Sequence, residues 1–236
     1  MNNEELKAVF DRMASGYDSK SSQIAPIYDG LYFLLESVFA DLPPDARLLC
    51  VGVGTGTELL HLANVFPGWS FTAVEPSGAM LDVCRTRIDE AGLSSRCRLH
   101  EGYVDSLPAT QLHDAATCFL VSQFILDTRA RSDFFQNIAD RLVPGGILAN
   151  ADLSYDTQSE EYEALFPVWQ RVMTSSADSA VRERMKAGYA KDVAILPSHT
   201  VASIIESGGF DRAIPFFQAG LIRGWFARHV LLSANR

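Results

Sequence analysis

Three glycines at alternate positions, Gly52, Gly54 and Gly56, are the strongest chemical signal in the sequence. They follow a short apolar run and precede a segment with helical periodicity, which is a strand–turn–helix context. Glycines let the chain turn tightly and bring bare backbone against a ligand, and the helix start offers free N–H groups. Dinucleotide sites use GxGxxG, whereas this chain has GxGxG, with Thr57 at the third glycine position. This spacing disfavours a pyrophosphate cradle.

A carboxylate, Glu75, ends the next strand-like run, 19 residues after Gly56. The carboxyl ends of parallel strands share one edge of the sheet, so Glu75 is expected near the glycine turn. A carboxylate at that place can accept both hydroxyls of a ribose. The turn and Glu75 together therefore indicate a site for a ribose-containing ligand.

Short apolar runs alternate with helical patterns around this site. The strand-like runs cover 47–52, 69–75, 96–102, 114–121 and 146–153, and the helical patterns cover 55–66, 77–92, 130–142 and 198–210. Such alternation predicts an α/β fold with a parallel sheet. Residues 211–232 hold two more strand-like runs joined at Ala219-Gly220, and so short a return requires antiparallel pairing. The sheet is therefore predicted to end in a hairpin.

The composition is that of an ordinary globular protein. The 236 residues are 47% hydrophobic and 21% charged, which excludes a mostly disordered chain, a collagen-like repeat and a coiled coil. The net charge of −9 argues against nucleic-acid and anionic-membrane partners, because phosphates repel such a chain. Apolar runs are shorter than a bilayer span, and the acidic start lacks the apolar region of a signal peptide. We therefore expect a cytoplasmic protein.

The cysteines stand among apolar residues and lack the paired spacing of metal ligands. They are Cys50, Cys84, Cys97 and Cys118. We expect buried, reduced thiols and no bound metal.

Two aromatic segments, 1–44 and 155–192, lie outside the strand–helix alternation. We predict an N-terminal helical cap over 1–44 and a main domain over 45–236 that carries 155–192 as a second cap. Spare apolar helices must bury their stripes, and the free place is the carboxyl edge of the sheet. We expect both caps to roof one cavity. The competing hypothesis is that 155–192 forms a homodimer interface.

The order of these motifs resembles that of class I, seven-stranded S-adenosylmethionine-dependent methyltransferases. The resemblance rests on LLCVGVGTGTELLHLA, AVEPSGAML, LPATQLHDAATCFLVSQFILD and RLVPGGIL, covers about 45–153, and extends to the C-terminal hairpin. It implies a doubly wound, mostly parallel sheet of order 3-2-1-4-5-7-6 whose last strand is antiparallel. It also implies S-adenosylmethionine as cofactor and a small molecule as substrate. Methyl transfer is an in-line displacement with a neutral leaving group, so alignment can supply much of the catalysis.

The resemblance implies cofactor contacts residue by residue. The three glycines, Gly52, Gly54 and Gly56, would pass beneath the methionine part of the cofactor, and Glu75 would hold the ribose hydroxyls. The remaining implied contacts are Pro76, Met80, Tyr103 and Val104 around the adenine, and Leu120 and Val121 at the methionine amine.

Two positions depart from the family pattern. Cys50 stands where many members have an acid in the first strand, and Tyr103 stands where an acid usually faces the adenine amine. Asp105 is a candidate substitute for that acid. The departures leave open a changed cofactor preference or a catalytically silent cofactor-binding protein. A nicotinamide-dependent oxidoreductase is a further alternative, disfavoured by the GxGxG spacing and the terminal hairpin.

A looser resemblance connects the chain with enzymes that make carboxy-S-adenosylmethionine. It rests on the aromatic N-terminal segment, which a proline initiates, and on Gln123-Phe124 after the fourth strand. It implies an arginine that recognises the extra carboxylate, and Arg182, Arg184 and Arg223 are the candidates.

Four polar residues are candidates for the substrate side of the site. Tyr17 and Tyr28 are flanked by polar and turn residues in the N-terminal cap. Gln123 and Asp152 follow buried strands at the carboxyl edge, where open α/β sheets bind ligands. We expect Tyr17, Tyr28 and Gln123 to face the methyl group.

Overall fold

A seven-stranded sheet forms the centre of the protein, whose computed structural model describes residues 2–109 and 111–230. The strand order is β3-β2-β1-β4-β5-β7-β6, and the predicted order is confirmed. The strands are β1 (Arg47–Val51), β2 (Ser70–Glu75), β3 (Cys97–Glu101), β4 (His113–Phe119), β5 (Leu142–Leu153), β6 (Ile214–Ala219) and β7 (Ile222–Arg228).

The pairing changes direction at the hairpin end of the sheet. Among strands β1 to β5, all neighbouring pairs are parallel. Strand β7 runs antiparallel to both β5 and β6. The predicted terminal hairpin is therefore confirmed, with its return between Ala219 and Ile222. The end of its predicted second run, 231–232, lies outside the described residues.

Helices cover both faces of the sheet. They are α1 (Asn3–Met13), α2 (Tyr17–Ser21), α3 (Ala25–Val38), α4 (Thr57–Val65), α5 (Gly78–Glu90), α6 (Thr128–Ala139), α7 (Glu160–Thr174), α8 (Ser179–Asp192) and α9 (Ser198–Ser207). No helix within the described part of the chain is long and apolar enough to cross a membrane.

Alternate residues of the central strands feed two different apolar clusters, because successive side chains of a strand point to opposite faces. Leu48 and Cys50 of β1 pack in the cluster that contains residues of α3, α4 and α5. Leu49 and Val51 pack in the cluster that contains residues of α6 and α9. Burial on both faces explains why these strands read as continuous apolar runs in the sequence.

The insertion 155–192 forms α7 and α8. Helix α7 continues through Pro167 and buries Tyr162, Phe166 and Trp169. These three side chains belong to a third apolar cluster, which also contains residues of α3, β5 and the hairpin. The insertion therefore packs against the flank of the sheet and against α3.

The cysteines are free thiols. Cys50, Cys84 and Cys118 are buried, and Cys97 is half-buried. Burial raises the pKa of Cys97 to about 11, so that its thiol is protonated at neutral pH.

Candidate functional site

A cavity of about 510 Å³ lies at the carboxyl edge of β1, β2 and β4. Open α/β sheets bind ligands at this edge, and the volume is in the range of small-molecule sites. Most of the residues predicted from the sequence line this one cavity: Tyr17, Tyr28, Gly52, Gly54, Glu75, Pro76, Met80, Tyr103, Val104, Asp105, Leu120 and Val121.

The floor of the cavity is the glycine turn. Gly52 and Gly54 have positive φ angles of 68° and 55°, a conformation that side-chain-bearing residues rarely adopt. A Cβ atom on Gly52 would lie 2.3 Å from Cγ2 of Val121, whereas one on Gly54 would meet nothing within 4 Å. Gly54 therefore keeps open the space in which a ligand can lie against the backbone.

Gly56 is not among the residues that line the cavity. It is the N-cap of α4 with a φ of 87°, and a Cβ there would lie 2.7 Å from Sγ of Cys84. Its missing side chain allows α4 to pack closely against α5. That Gly56 also passes beneath a cofactor stays a prediction.

Glu75 is held by the backbone on both sides of the cavity floor. Its carboxylate accepts one hydrogen bond from Gly54 N at 3.0 Å and another from Ser77 N at 2.9 Å. Burial raises the pKa of Glu75, and these two backbone bonds oppose the rise. Each carboxylate oxygen has a further lone pair, so the fixed group can still accept a diol.

One end of the cavity is shaped for a flat apolar group. Met80 and Val104 are almost fully buried there, and Pro76 lies between Glu75 and the start of α5. Tyr103 and Asp105 line the same end, so both residues of the altered motif reach the cavity.

Leu120 carries backbone strain at the cavity wall. Its φ of 59° is in the left-handed region, and its N–H donates to Ala151 O at 2.6 Å. A non-glycine residue in this region is uncommon and costs free energy. Strain of this kind is found most often at functional sites. The turn brings Leu120 and Val121 into the wall directly after β4.

The opposite end of the cavity is aromatic. Tyr17 and Tyr28 line it, together with Phe10, Phe119 and Phe124. Burial raises the pKa of Tyr28, so its hydroxyl stays protonated at neutral pH and can donate a hydrogen bond. Phe124 was missed as a site residue although it adjoins Gln123, the residue that was chosen.

Gln123 and Asp152, expected on the substrate side, are buried away from the cavity. Oδ2 of Asp152 pairs with Nη2 of Arg131 at 2.9 Å, and both side chains are fully buried. Oε1 of Gln123 accepts from Leu153 N at 2.7 Å. We correct the expectation for both residues: their polar atoms fix the turn after β4 rather than contact a substrate.

The roof of the cavity comes from α1 and not from the insertion. Asn3, Leu6, Lys7 and Phe10 line the cavity at the spacing of one helix face, but no described residue of 155–192 does. The expectation that both caps roof one cavity is thus wrong for the insertion. The spacing of Leu6 and Phe10 was visible in the sequence, although it could not reveal what this face covers.

The three candidate arginines lie elsewhere. Arg182 Nε donates to Gln170 at 2.9 Å, and Arg223 Nη2 donates to Gln218 at 2.6 Å. Arg184 is exposed on α8. Among the described residues that line the cavity there is no arginine, and the lysine there, Lys7, places its ammonium 2.9 Å from Asp11.

A further buried acid, Glu58, lies on the first turn of α4, directly after the glycine turn. Its carboxyl group is bonded by the hydroxyl of Thr117 and by the thiol of Cys50. Burial raises the pKa of Glu58 to about 7. Cys50, the unusual residue of β1, therefore contacts an acid that the next helix supplies. Glu58 cannot be recognised as buried from the sequence, because an acid in the first turn of a helix is ordinarily exposed.

Comparison with known proteins agrees with this architecture. Residues 48–146 match a family described as "Methyltransferase domain". The seven-stranded order and this match together define a class I methyltransferase fold, as the motifs predicted.

Individual relatives are distant. A carboxy-S-adenosyl-L-methionine synthase from Dichelobacter nodosus (strain VCS1703A) is 24% identical over 226 residues, which are 92% of this chain and 90% of that protein. The S-adenosylmethionine-dependent methyltransferase SibL superposes with a TM-score of 0.65 at 20% identity over 92% of this chain. The mitomycin 7-O-methyltransferase MmcR superposes with a TM-score of 0.61 at 18% identity over 97% of this chain. The chain spans only 57% and 59% of the lengths of those two proteins.

Proposed function

We propose that the cavity binds S-adenosylmethionine and that the protein transfers its methyl group to a small, uncharged, aromatic or apolar acceptor. The observation that carries this proposal is that one cavity combines a polar end with an aromatic end. At one end Glu75 stands over a bare glycine turn, and at the other end tyrosine and phenylalanine rings converge.

The lining residues fit the parts of this cofactor. Glu75 is fixed to accept the ribose hydroxyls, and Gly54 leaves room for the chain that continues from the ribose. Met80 and Val104 offer apolar surface to the adenine, while the strained turn at Leu120 presents backbone to the amino-acid end. When bound, S-adenosylmethionine supplies a methyl group on a positively charged sulfur.

The acceptor class follows from what lines the aromatic end. Flat rings pack well against Phe10, Phe119 and Phe124, and aromatic pairs add stabilisation beyond area burial. An anionic acceptor would need a cation, but the Lys7 ammonium faces Asp11 and the described lining residues include no arginine or histidine. The protonated hydroxyl of Tyr28 can orient a polar group on the acceptor, and alignment can account for much of the rate.

A second candidate is synthesis of carboxy-S-adenosylmethionine, which the relative from Dichelobacter nodosus favours. The cavity supports it less well, because the extra carboxylate calls for a cation and none of Arg182, Arg184 and Arg223 lines the cavity. A silent cofactor-binding protein is the third alternative. It would bind the cofactor without consuming it.

Titration calorimetry separates these candidates. S-adenosylmethionine and S-adenosylhomocysteine should bind to the purified chain, and NAD should not. Glu75→Gln should weaken the binding of S-adenosylhomocysteine by about 1.5–3 kcal/mol, the contribution of a hydrogen bond to a charged group. Glu90→Gln, which changes an exposed acid on α5, is the matched control and should bind as the parent does.

Equal affinity in the Glu75→Gln and Glu90→Gln variants would contradict the assigned binding mode. In a separate assay, formation of S-adenosylhomocysteine from S-adenosylmethionine in the presence of a panel of phenols would support methyl transfer. Tight binding without product from any acceptor would favour the silent alternative, and tighter binding of carboxy-S-adenosylmethionine would favour the second candidate.

A further inference from the structure

Helix α1 has no fully buried residue, although Leu6 and Phe10 are half-buried. A helix of 11 residues has little stability of its own, so contacts with the rest of the protein must hold it. The face that carries Asn3, Leu6, Lys7 and Phe10 is turned to the cavity rather than to an apolar core. Its position therefore depends on a few polar anchors and on what fills the cavity.

The first anchor is Asp11, at the end of α1. Its Oδ1 accepts from Ser77 Oγ at 2.6 Å, and its carboxylate also accepts from the backbone of Ala79. Ser77 is the N-cap of α5 and follows the cavity residues Glu75 and Pro76. Asp11 thus ties α1 to the helix that begins at the ribose end of the site.

The second anchor is Asp18, on α2. Its Oδ1 accepts from Thr55 Oγ1 at 2.6 Å, and its Oδ2 lies 3.1 Å from Nη1 of Arg87. The same Arg87 nitrogen donates to the backbone oxygen of Thr55 at 3.0 Å. Thr55 belongs to the glycine turn between Gly54 and Gly56, so this anchor holds α2 on the floor of the site.

Two weaker contacts close the ends of the roof. Tyr103 Oη donates to the backbone oxygen of Asn3 at 3.4 Å, at the end lined by Val104. The rings of Phe10 and Phe124 meet edge to face with centroids 5.7 Å apart, at the aromatic end. Helix α1 thus spans the cavity from one end to the other.

We propose that α1 and α2 form a lid that completes the cofactor site, and that Asp11 and Asp18 are positioning residues that hold the lid on the two elements beneath the cofactor. The lid supplies Asn3 and Lys7 at a site whose altered motif has Tyr103 instead of an acid. The cofactor enters when the anchors release, and it is retained when they re-form. The identity of the ligand rests on the proposed function, but the anchors do not.

Amide hydrogen exchange tests the lid in the unmodified protein. Saturating S-adenosylhomocysteine should slow exchange in residues 3–18. Helix α8 is the internal control, because it also has no buried residue but contributes nothing to the cavity. Its exchange rate should stay unchanged.

Anchor variants test the positioning role. Asp11→Ala and Asp18→Ala should each speed release of S-adenosylhomocysteine by about tenfold, the equivalent of one charge-assisted hydrogen bond. They should also raise exchange in 3–18 while leaving the melting temperature within a few degrees. The control is Asp82→Ala, which removes an exposed acid that pairs with Arg85 on α5.

The outcomes separate the lid from the proposed function. Binding of S-adenosylhomocysteine with unchanged exchange in 3–18, or release as slow in both anchor variants as in the control, would overturn the lid and leave the function standing. Failure of the unmodified protein to bind would overturn the function and, with it, the lid as part of a cofactor site. If an anchor variant fails to fold, the exchange experiment on the parent still decides.

Discussion

The N-terminal helices and the insertion 155–192 resemble each other in sequence and differ in the structure. Both are aromatic segments at helical spacing outside the strand–helix alternation. Helix α1 buries no residue and turns one face to the cavity. Helix α7 buries Tyr162, Phe166 and Trp169 in an apolar cluster.

The difference lies in what fixes each segment. The insertion is fixed by packing: Trp169 is 2% exposed, its Nε1 donates to Tyr189 Oη at 3.1 Å, and a Cβ on Gly220 would lie 2.5 Å from its ring. The N-terminal helices α1 and α2 are fixed by carboxylates that accept from Ser77 and Thr55. An apolar stripe therefore predicts that a helix face is covered, but not whether protein or ligand covers it.

The largest expected effect is on the insertion. Trp169→Ala should lower the free energy of unfolding by about 3–5 kcal/mol, because it opens a cavity in a closely packed cluster. The affinity for S-adenosylhomocysteine in the folded fraction should not change, since Trp169 does not line the cavity. Urea unfolding and calorimetry at low temperature measure the two quantities.

Val168→Ala is the matched control for that experiment. Val168 is the neighbour of Trp169 on α7 and is 51% exposed, so its loss should have little effect on stability. If Trp169→Ala lost affinity for S-adenosylhomocysteine while remaining as stable as Val168→Ala, the insertion would be part of the site. The contrast between the insertion and the N-terminal helices would then be wrong.

The sequence predicted those features that depend on local pattern. The strand order, the hairpin, the glycine turn and the end position of Glu75 all follow from the alternation of elements and from the resemblance. The burial of a side chain by residues that are distant in the sequence could not be predicted from local pattern. Asp152 has the sequence position of a substrate-facing acid, but Arg131, 21 residues earlier, pairs with it in the fully buried turn.

The position of α1 over the cavity could not be predicted from local pattern for the same reason. Phe10 and Phe124 are 114 positions apart in the chain, and only the fold brings them together. The stripe of α1 was recognisable, whereas the two carboxylates that anchor α1 and α2 read as ordinary surface charges. Anchors of this kind are visible only when the donors, here Ser77 and Thr55, are in place.

The buried acids near the two regions differ in the partners that compensate their charge. Asp152, three residues before the insertion begins, has the buried guanidinium of Arg131 as its partner. Glu58 lies beneath the N-terminal side, where its partners are the uncharged groups of Thr117 and Cys50. Burial raises the pKa of Glu58 from an ordinary 4.5 to about 7. Its ionised form is therefore disfavoured in the folded protein.

This shift gives a pH dependence with a definite sign. Between about pH 4.5 and 7 the folded chain keeps a proton that the unfolded chain has lost, so stability falls as the pH rises through this window. Glu58→Gln removes the ionisation and keeps an acceptor for Thr117. It should raise the free energy of unfolding by up to about 3 kcal/mol at pH 8 and by little at pH 4.5. Urea unfolding at both values measures this difference.

Glu36→Gln is the control for Glu58→Gln, because it alters a partly exposed acid that faces His61. An equal gain at both pH values in Glu58→Gln, or none at pH 8, would show that burial does not raise the pKa of Glu58 in the folded protein. The N-terminal side would then resemble the insertion side, with a compensated acid beneath it.

The smallest effect on stability is expected from the roof. Phe10→Ala removes a half-buried aromatic side chain that faces the cavity rather than the core, so it should lower the free energy of unfolding by only about 1 kcal/mol. The same change removes the ring that meets Phe124 across the aromatic end of the cavity. Such ring pairs contribute about 0.5–1.5 kcal/mol, so binding of an aromatic acceptor in the presence of S-adenosylhomocysteine should weaken by several-fold.

Phe33→Ala provides the reference for Phe10→Ala, since Phe33 is 69% exposed on α3 and should affect neither quantity. Trp169→Ala and Phe10→Ala together then form a crossed pair, in which one aromatic ring governs stability and the other governs binding. A loss of several kcal/mol of stability in Phe10→Ala would mean that α1 is held as part of the core. The Phe10 side chain is only half-buried and faces the cavity rather than the core, which argues against that.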